Sequence, residues 1–200
     1  MKLYEISEIT SEPLIRIGQW LKEAEDAGSP LPHAMNVATV NESGFPSSRM
    51  VLLKSLSEEG LVFFTDYSSK KGLDLMNNGR AAINFWWAKT NKAIRLEGIC
   101  SKVSQSLSDD YFNSRPLDSK ISASVSFQSN VIVSYKDLIN EAEEFKKNNE
   151  DKDIKRPQRW GGFIFQPNNI EFWKDEPNRL HLRENFKLSN TKWKKVFLSP

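Results

Sequence analysis

The sequence is short of the residues that the simplest functional readings need. Its single cysteine, Cys100, cannot form a disulfide within the chain, and one thiol cannot supply a zinc cluster. The two histidines, His33 and His181, lack the spacing of a metal site. No Gly-x-Gly-x-x-Gly, Walker-type loop or nucleophile-elbow pattern occurs. No stretch approaches the ~20 apolar residues that span a bilayer, and Met1 to Thr10 lacks the apolar run of a signal peptide. A net charge of +2 gives no general pull on nucleic acid, so any basic site must be local. These shortages predict a cytoplasmic chain without metal, membrane or nucleic-acid partner.

What is present is ordinary globular composition, 38% hydrophobic and 27% charged in 200 residues, enough for one domain with a real core. A helical segment within residues 1–30 opens at Pro13, buries Leu14, Ile17, Leu21 and Ala24, and closes near Gly28. Strand-like runs follow at 34–40, 47–53, 61–65, 81–87 and 93–103, with turn residues at 41–44 and 58–60 that predict antiparallel hairpins. A short helix is expected at 72–76, a helical block at 108–126, and a helix at 135–147 with Leu138, Ile139, Ala142 and Phe145 on its buried face. Residues 148–159 read as an exposed connector. Strands at 162–165, 170–173, 180–186 and 193–198 complete the chain, which predicts an α+β domain on a small barrel or curled sheet.

Five stretches carry unusual chemistry. Arg49-Met50-Val51-Leu52-Leu53-Lys54 reads as a buried strand with a cation at each end, ~17 Å apart. That separation suits an extended mononucleotide, or two solvent-exposed charges. Positions five apart face opposite ways, so one ligand requires the strand to bend, bulge or end before Lys54. In Thr65 to Gly72 a strand gives way to a helix whose first turn holds Lys70 and Lys71 behind Ser68 and Ser69. Cations are disfavoured there unless a phosphate is bound. Asp109 and Asp110 suit the first turn of a helix begun at Ser108; Tyr111, Arg115 and Ser119 then recur every four residues, either an anion clamp or ordinary surface polarity. Gln128 and Ser129 end a helix of small residues. Arg179, His181 and Arg183 alternate with leucines, which predicts a strand with one cationic face, close in sequence to the flat Trp173.

Taken in order, RMVLLK (49–54), FTDYSSKKG (64–72), YFNSRPLDS (111–119), Gln128-Ser129, WGG (160–162), EFW (171–173) and RLHLR (179–183) resemble the pyridoxine/pyridoxamine 5'-phosphate oxidase family. The resemblance implies an FMN-binding split β-barrel, antiparallel and Greek-key-like with peripheral helices, acting as a homodimer with flavin at the interface. By the same resemblance Arg49, Met50, Val51, Leu52, Leu53, Lys54, Phe64, Thr65, Ser69, Lys70, Lys71, Gln128, Ser129, Trp173 and Arg183 bind FMN. Lys54, Tyr111, Arg115 and Ser119 grip the substrate phosphate, while Arg179 and His181 lie over its ring as the catalytic pair. The implied reaction oxidises pyridoxine 5'-phosphate or pyridoxamine 5'-phosphate to pyridoxal 5'-phosphate, with oxygen as acceptor and hydrogen peroxide released.

Three departures mark this chain. Lys92-Ala93 stands for the family's Arg-Gln, Leu182 for the acid of RLHDR, and Ser69-Lys70-Lys71 for Ser-Arg-Lys. Two rival readings follow: another flavin oxidoreductase on the same barrel, of phenazine-pathway type, or a weakly catalytic flavin or pyridoxal-phosphate binding protein.

Overall fold

The computed structural model describes residues 4–149 and 153–200. A short strand β1 (Glu5–Ile6) leads to α1 (Glu12–Asp26), whose Pro13 presets the first turn. The Glu58 carboxylate accepts the backbone N–H of Thr10 and Ser11 at 2.9 and 3.1 Å, placing an acid at the positive end of α1. The helix buries Leu14, Ile17, Trp20, Leu21 and Ala24 on the sheet, the face that its 3.6-residue periodicity specifies.

The sheet has ten strands: β1, β2 (Ala34–Val40), β3 (Pro46–Leu52), β4 (Ser55–Ser57), β5 (Gly60–Asp66), β6 (Arg80–Trp87), β7 (Lys92–Lys102), β8 (Trp160–Lys174), β9 (Leu182–Ser189) and β10 (Lys192–Phe197). Its main order is β1-β4-β5-β8-β7-β6-β2-β3, with β9 on β8 and β10 on β9. All pairs are antiparallel except β1 with β4, a correction to the all-antiparallel expectation. The sheet curls until its ends approach. The Leu53 N–H donates to His33 O at 2.9 Å, next to β2, and the following Lys54 N–H donates to Val62 O of β5 at 2.8 Å. Phe63, Phe85, Phe163, Phe165, Phe172 and Phe186 fill the interior.

Several expectations change. Segments 162–165 and 170–173 are one strand, β8, because Pro167 is accommodated where the register to β7 shifts between Glu97 and Gly98. The cationic face at 179–183 does not form. Pro177–Arg179 is a 3₁₀ turn with Asn178 and Arg179 at φ 60° and 61°, and β9 begins only at Leu182. The block at 108–126 is two helices, α3 (Gln105–Ser114) and α4 (Leu117–Val125). Pro116 holds the preceding Arg115 extended and breaks the run. Ser104 caps α3, so Asp109 and Asp110 lie in its body rather than its first turn. RMVLLK is not buried on both faces, since β3 ends the sheet order and leaves Met50 61% exposed.

Helix α2 (Lys70–Asn78) follows β5, and α5 (Tyr135–Asn148) packs as an outer layer. The latter buries no residue fully: Leu138, Ala142 and Phe145 are half-buried and Ile139 is exposed. Ala142 and Phe145 rest on a second cluster of Phe112, Ile121, Ala123, Ile154 and Trp160. Ile154 lies in the expected exposed connector, part of which (150–152) falls outside the described residues. The connector is pinned by its arginines: Arg156 pairs with Asp109 at 2.6 Å, and Arg159 donates to Ser124 O at 2.8 Å. Behind it the WGG glycines are closely packed by side chains. A Cβ on Gly161 would sit 2.7 Å from Tyr67 Cζ, and one on Gly162 would sit 2.7 Å from Val103 Cγ2.

Candidate active site

A cleft of about 1200 Å³ opens beside β3 and β5, roofed by α3 and α4 and closed at one end by α2. Its volume exceeds the roughly 300–1,000 Å³ usual for one small ligand. Two cationic groups line it.

The first is built by β3, α2 and the turn after α4. The Arg49 guanidinium donates to Thr39 Oγ1 at 2.8 Å and Ser47 Oγ at 2.7 Å, and to the carbonyls of Val37 and Ser47. Ser69 caps α2 by accepting the Gly72 N–H, which brings Lys70 and Lys71 into the positive first turn. Lys71 Nζ is buried and donates to Thr65 Oγ1 at 3.1 Å and Gln128 Oε1 at 2.5 Å. Burial, then the Arg49 charge, pulls its pKa down to about 8, against an opposing pull from Asp66. That carboxylate is itself occupied by the Ser68 N–H and hydroxyl and faces Arg159. Ser129 sits at φ 74°, unusual for a residue with a side chain, where its Oγ accepts the Lys70 N–H at 3.2 Å.

The second group holds Lys54, Tyr111, Arg115 and Ser119. The Phe64 and Tyr111 rings stack at 3.9 Å, and Trp160 continues the stack at 5.5 Å from Phe64. Arg115 lies over Trp160 at 4.5 Å and Lys54 over Tyr111 at 5.9 Å, so aromatic faces rather than carboxylates brace both cations. Arg115 Nη1 is buried with no hydrogen-bond partner among the described residues. Burial lowers the Lys54 pKa, and the Arg115 charge lowers it further. Two unneutralised cations at the mouth of a cleft call for an anion.

The chain path resolves how Arg49 and Lys54 share this cleft. Strand β3 stops at Leu52, and the chain crosses from β2 to β5 over the next two residues. Tyr111, Arg115 and Ser119 also converge, but across the break at Pro116 rather than along one helix. Among the expected FMN contacts on this side of the molecule, Leu53 is wholly buried in the core and Ser69 is spent capping α2, so neither lines the cleft. Trp160, which holds Arg115 in place, was visible as part of WGG but carried no charge to mark it as a site residue.

Trp173, Arg179, His181 and Arg183 do not line the cleft. Trp160 and Trp173 stand thirteen residues apart on β8, on the order of 40 Å of strand contour. At the Trp173 end, Arg183 forms a two-pronged pair with Glu171 at 2.7 and 3.0 Å, which Arg95 joins at 3.1 Å. The His181 ring lies 4.6 Å from Trp173. Arg179 is exposed and has no hydrogen bond or ion pair among the described residues.

The family model described as pyridoxamine 5'-phosphate oxidase matches residues 21–148, and that of the pyridoxine 5'-phosphate oxidase C-terminal dimerisation region matches residues 160–200. The chain belongs to the pyridoxine/pyridoxamine 5'-phosphate oxidase family. A relative of that name from Nostoc sp. is 44% identical over 194 residues, covering 96% of this chain and 91% of its own. One from Mannheimia succiniciproducens is 46% identical over 189 residues, covering 94% and 89%. Among solved structures, PhzG from Burkholderia lata in complex with tetrahydrophenazine-1-carboxylic acid matches with a TM-score of 0.91 and 29% identity, over 96% of this chain and 94% of that one. A pyridoxamine 5'-phosphate oxidase-related, FMN-binding protein from Nostoc punctiforme shares the fold, with a TM-score of 0.76 at 14% identity over 96% and 98% of the two chains. The fold is therefore the split barrel of this family. At the family's Gln position, Ala93 is paired in register with Trp86 on one side and Trp173 on the other, and the two indoles lean together to 6.1 Å.

Proposed function

We propose that this chain oxidises pyridoxine 5'-phosphate and pyridoxamine 5'-phosphate to pyridoxal 5'-phosphate, with FMN as cofactor, oxygen as electron acceptor and hydrogen peroxide as by-product. The observation that carries the reading is the pair of separate cation clusters in one cleft. Arg49, Lys70 and Lys71 are fitted to one phosphate; Lys54 and Arg115, with the unpartnered Arg115 Nη1, are fitted to a second. A single phosphorylated ligand would leave one cluster uncompensated.

The donor set suits FMN. Ammonium, guanidinium, hydroxyl and amide groups meet at the first cluster without a free carboxylate, and β3 sets the apolar Val51 on the same strand face as Arg49. FMN, when bound, supplies a two-electron acceptor for the carbon being oxidised and is reoxidised by oxygen. The chain's own work is placement. The substrate phosphate held by Lys54, Arg115, Tyr111 and Ser119 fixes one end of a small ring, so that its other end is set at a constant distance. Arg179 and His181 orient the hydroxyl, whose oxygen stays as the aldehyde oxygen, or the amine, which is oxidised to an imine and released by water as ammonia.

Because the Trp173 end of β8 lies outside the cleft, completing the site with Trp173, Arg179, His181 and Arg183 calls for a second copy of the chain. The match of residues 160–200 to a dimerisation region supports a homodimer with flavin between the copies. No described helix is long and apolar enough to cross a membrane, in keeping with a cytoplasmic enzyme. The phenazine-pathway reading is weaker because the relatives named pyridoxine/pyridoxamine 5'-phosphate oxidase are 44% and 46% identical and PhzG 29%, although a carboxylic-acid ligand could also engage the second cluster.

The test is a visible spectrum of the purified protein followed by oxygen uptake. A yellow protein that consumes oxygen with pyridoxine 5'-phosphate, and not with unphosphorylated pyridoxine, is expected. A yellow protein inert to both B6 phosphates would leave a flavin carrier or a flavin oxidoreductase of another substrate, and a colourless one that takes up no added FMN would end the reading.

A further inference from the structure

Ala93 breaks the burial pattern of its strand. Along β7, Ile94 and Leu96 point into the core while Arg95 and Glu97 point out, so Ala93 belongs to the outer face. It is nevertheless 6% exposed, whereas the side chain of Arg95, next along that face, is 51% exposed. A methyl group cannot bury itself, so its neighbours cover it. These are Trp86 of β6 and Trp173 of β8, each paired with Ala93 in register. Two strand spacings, roughly 10 Å, separate β6 from β8. The two indole centroids are only 6.1 Å apart, with their planes at 59°, so the rings lean across the alanine until they meet.

The contact is not shared evenly. Trp173 also has the His181 ring at 4.6 Å and Arg183 beside it in register on β9. Trp86 is flanked by β7 alone, because the pairing of β2 with β6 ends at Asn84, and among the described residues no other ring packs on it. It stays 53% exposed, so its indole gains little for folding where it stands. What it does is close the side of Trp173 that faces Ala93. Alanine is poorly suited to strands, but any longer side chain at this position would stand between the rings.

We propose that Trp86 is a positioning residue that leans across Ala93 to fix the Trp173 indole before FMN arrives. The proposal rests on reading Trp173 as a flavin contact in the two-copy site. A Trp173 ring already held in one orientation loses less freedom on binding, and that saving appears as tighter FMN.

The experiment titrates FMN into the FMN-free forms of wild type, Trp86→Ala, Trp86→Phe, Ala93→Leu, Trp173→Ala and the double tryptophan-to-alanine variant, followed by flavin fluorescence. Sedimentation counts the copies, and circular dichroism checks the fold. Trp86→Ala is expected to weaken FMN binding about two- to tenfold, the range for one aromatic pair, in a protein still folded and dimeric. Trp86→Phe should recover most of the loss, and Ala93→Leu, which keeps both indoles but parts them, should weaken FMN to a similar extent. The double variant should bind no worse than Trp173→Ala alone. Wild-type affinity in Trp86→Ala or in Ala93→Leu, beside a weakened Trp173→Ala, would overturn the role of Trp86 and leave the flavin reading of Trp173 intact. Losses that multiply in the double variant would show that Trp86 acts through something other than Trp173. A monomeric Trp86→Ala would make the residue a contact between copies instead. Wild-type affinity in Trp173→Ala would remove that indole from the flavin site, and Trp86 with it.

Discussion

Lys71 gives the sharpest test of the claim that the first cluster is built for an anion. The residue is 6% exposed, and its pKa falls from the usual 10.5 to about 8, chiefly through burial and then through Arg49. A lysine with a folded pKa below its unfolded value opposes folding wherever both states are protonated. The opposition is therefore complete below about pH 8 and fades as pH rises toward 10.5. A difference of this size corresponds to roughly 3 kcal/mol at neutral pH. Lys71→Met removes the charge and keeps the length; the Thr65 hydroxyl still donates to Gln128 Oε1, and losing the bonds from Nζ costs about 1–2 kcal/mol. The FMN-free variant should therefore be more stable than wild type at pH 7 by about 1–2 kcal/mol, which is ~2–8 °C in Tm for a chain of this length. Near pH 9.5 about 2 kcal/mol of the wild-type penalty is relieved, and the gap should close. FMN affinity should move the other way, weaker by ~10–100-fold in the variant at pH 7. Thermal unfolding of both apoproteins from pH 7 to 9.5, with flavin titration at pH 7, measures both effects. A stability gap that stays flat across that range would show that burial does not strain Lys71, and the anion argument for this cluster would fall with it.

Arg115→Leu should raise KM for pyridoxine 5'-phosphate by about 10²-fold, because a buried charge-assisted contact is lost, while FMN affinity stays put. Steady-state oxygen uptake and flavin titration read the two, and an equal loss of FMN affinity would move Arg115 to the other anion site. Gly161→Ala should lower stability by about 1–3 kcal/mol through overpacking against Tyr67. An unchanged Tm would mean that the ring gives way freely.

How legible the molecule was in its sequence depended on the length scale of each signal. Strand β2 has the expected ends, and β3, β5, β6 and β7 fall within one residue of theirs, because alternation and turn residues act locally. Tyr111, Arg115 and Ser119 do share the cleft, but for a different reason: their spacing suggested one helix face, whereas Pro116 ends α3 and α4 returns Ser119 to the cleft. The alternation at 179–183 misled because Pro177 and Asn178 impose a turn just upstream that outweighs two leucines. Trp160 was invisible as a site residue, since its contribution, the face that carries Arg115, exists only once β8 and α3 meet.

The two ends of β8 treat their cations differently, and the difference separates their tasks. At the Trp160 end Lys54 and Arg115 rest on aromatic rings and Lys71 on neutral oxygens, contacts that hold position without cancelling charge. At the Trp173 end Glu171 takes both Arg183 and Arg95, and its carboxyl is held below the usual range by those partners despite its burial. A cation already neutralised by a carboxylate has little left for a phosphate, but its planar fork and the indole beside it still present flat, directed surface. On the proposed function, the N-terminal two thirds of the chain would supply the charge that captures phosphorylated ligands, and the C-terminal strands would supply shape and hydrogen-bond direction around a ring. Since one protomer separates these by most of the length of β8, the same proposal requires the cleft of one copy to receive the C-terminal strands of another.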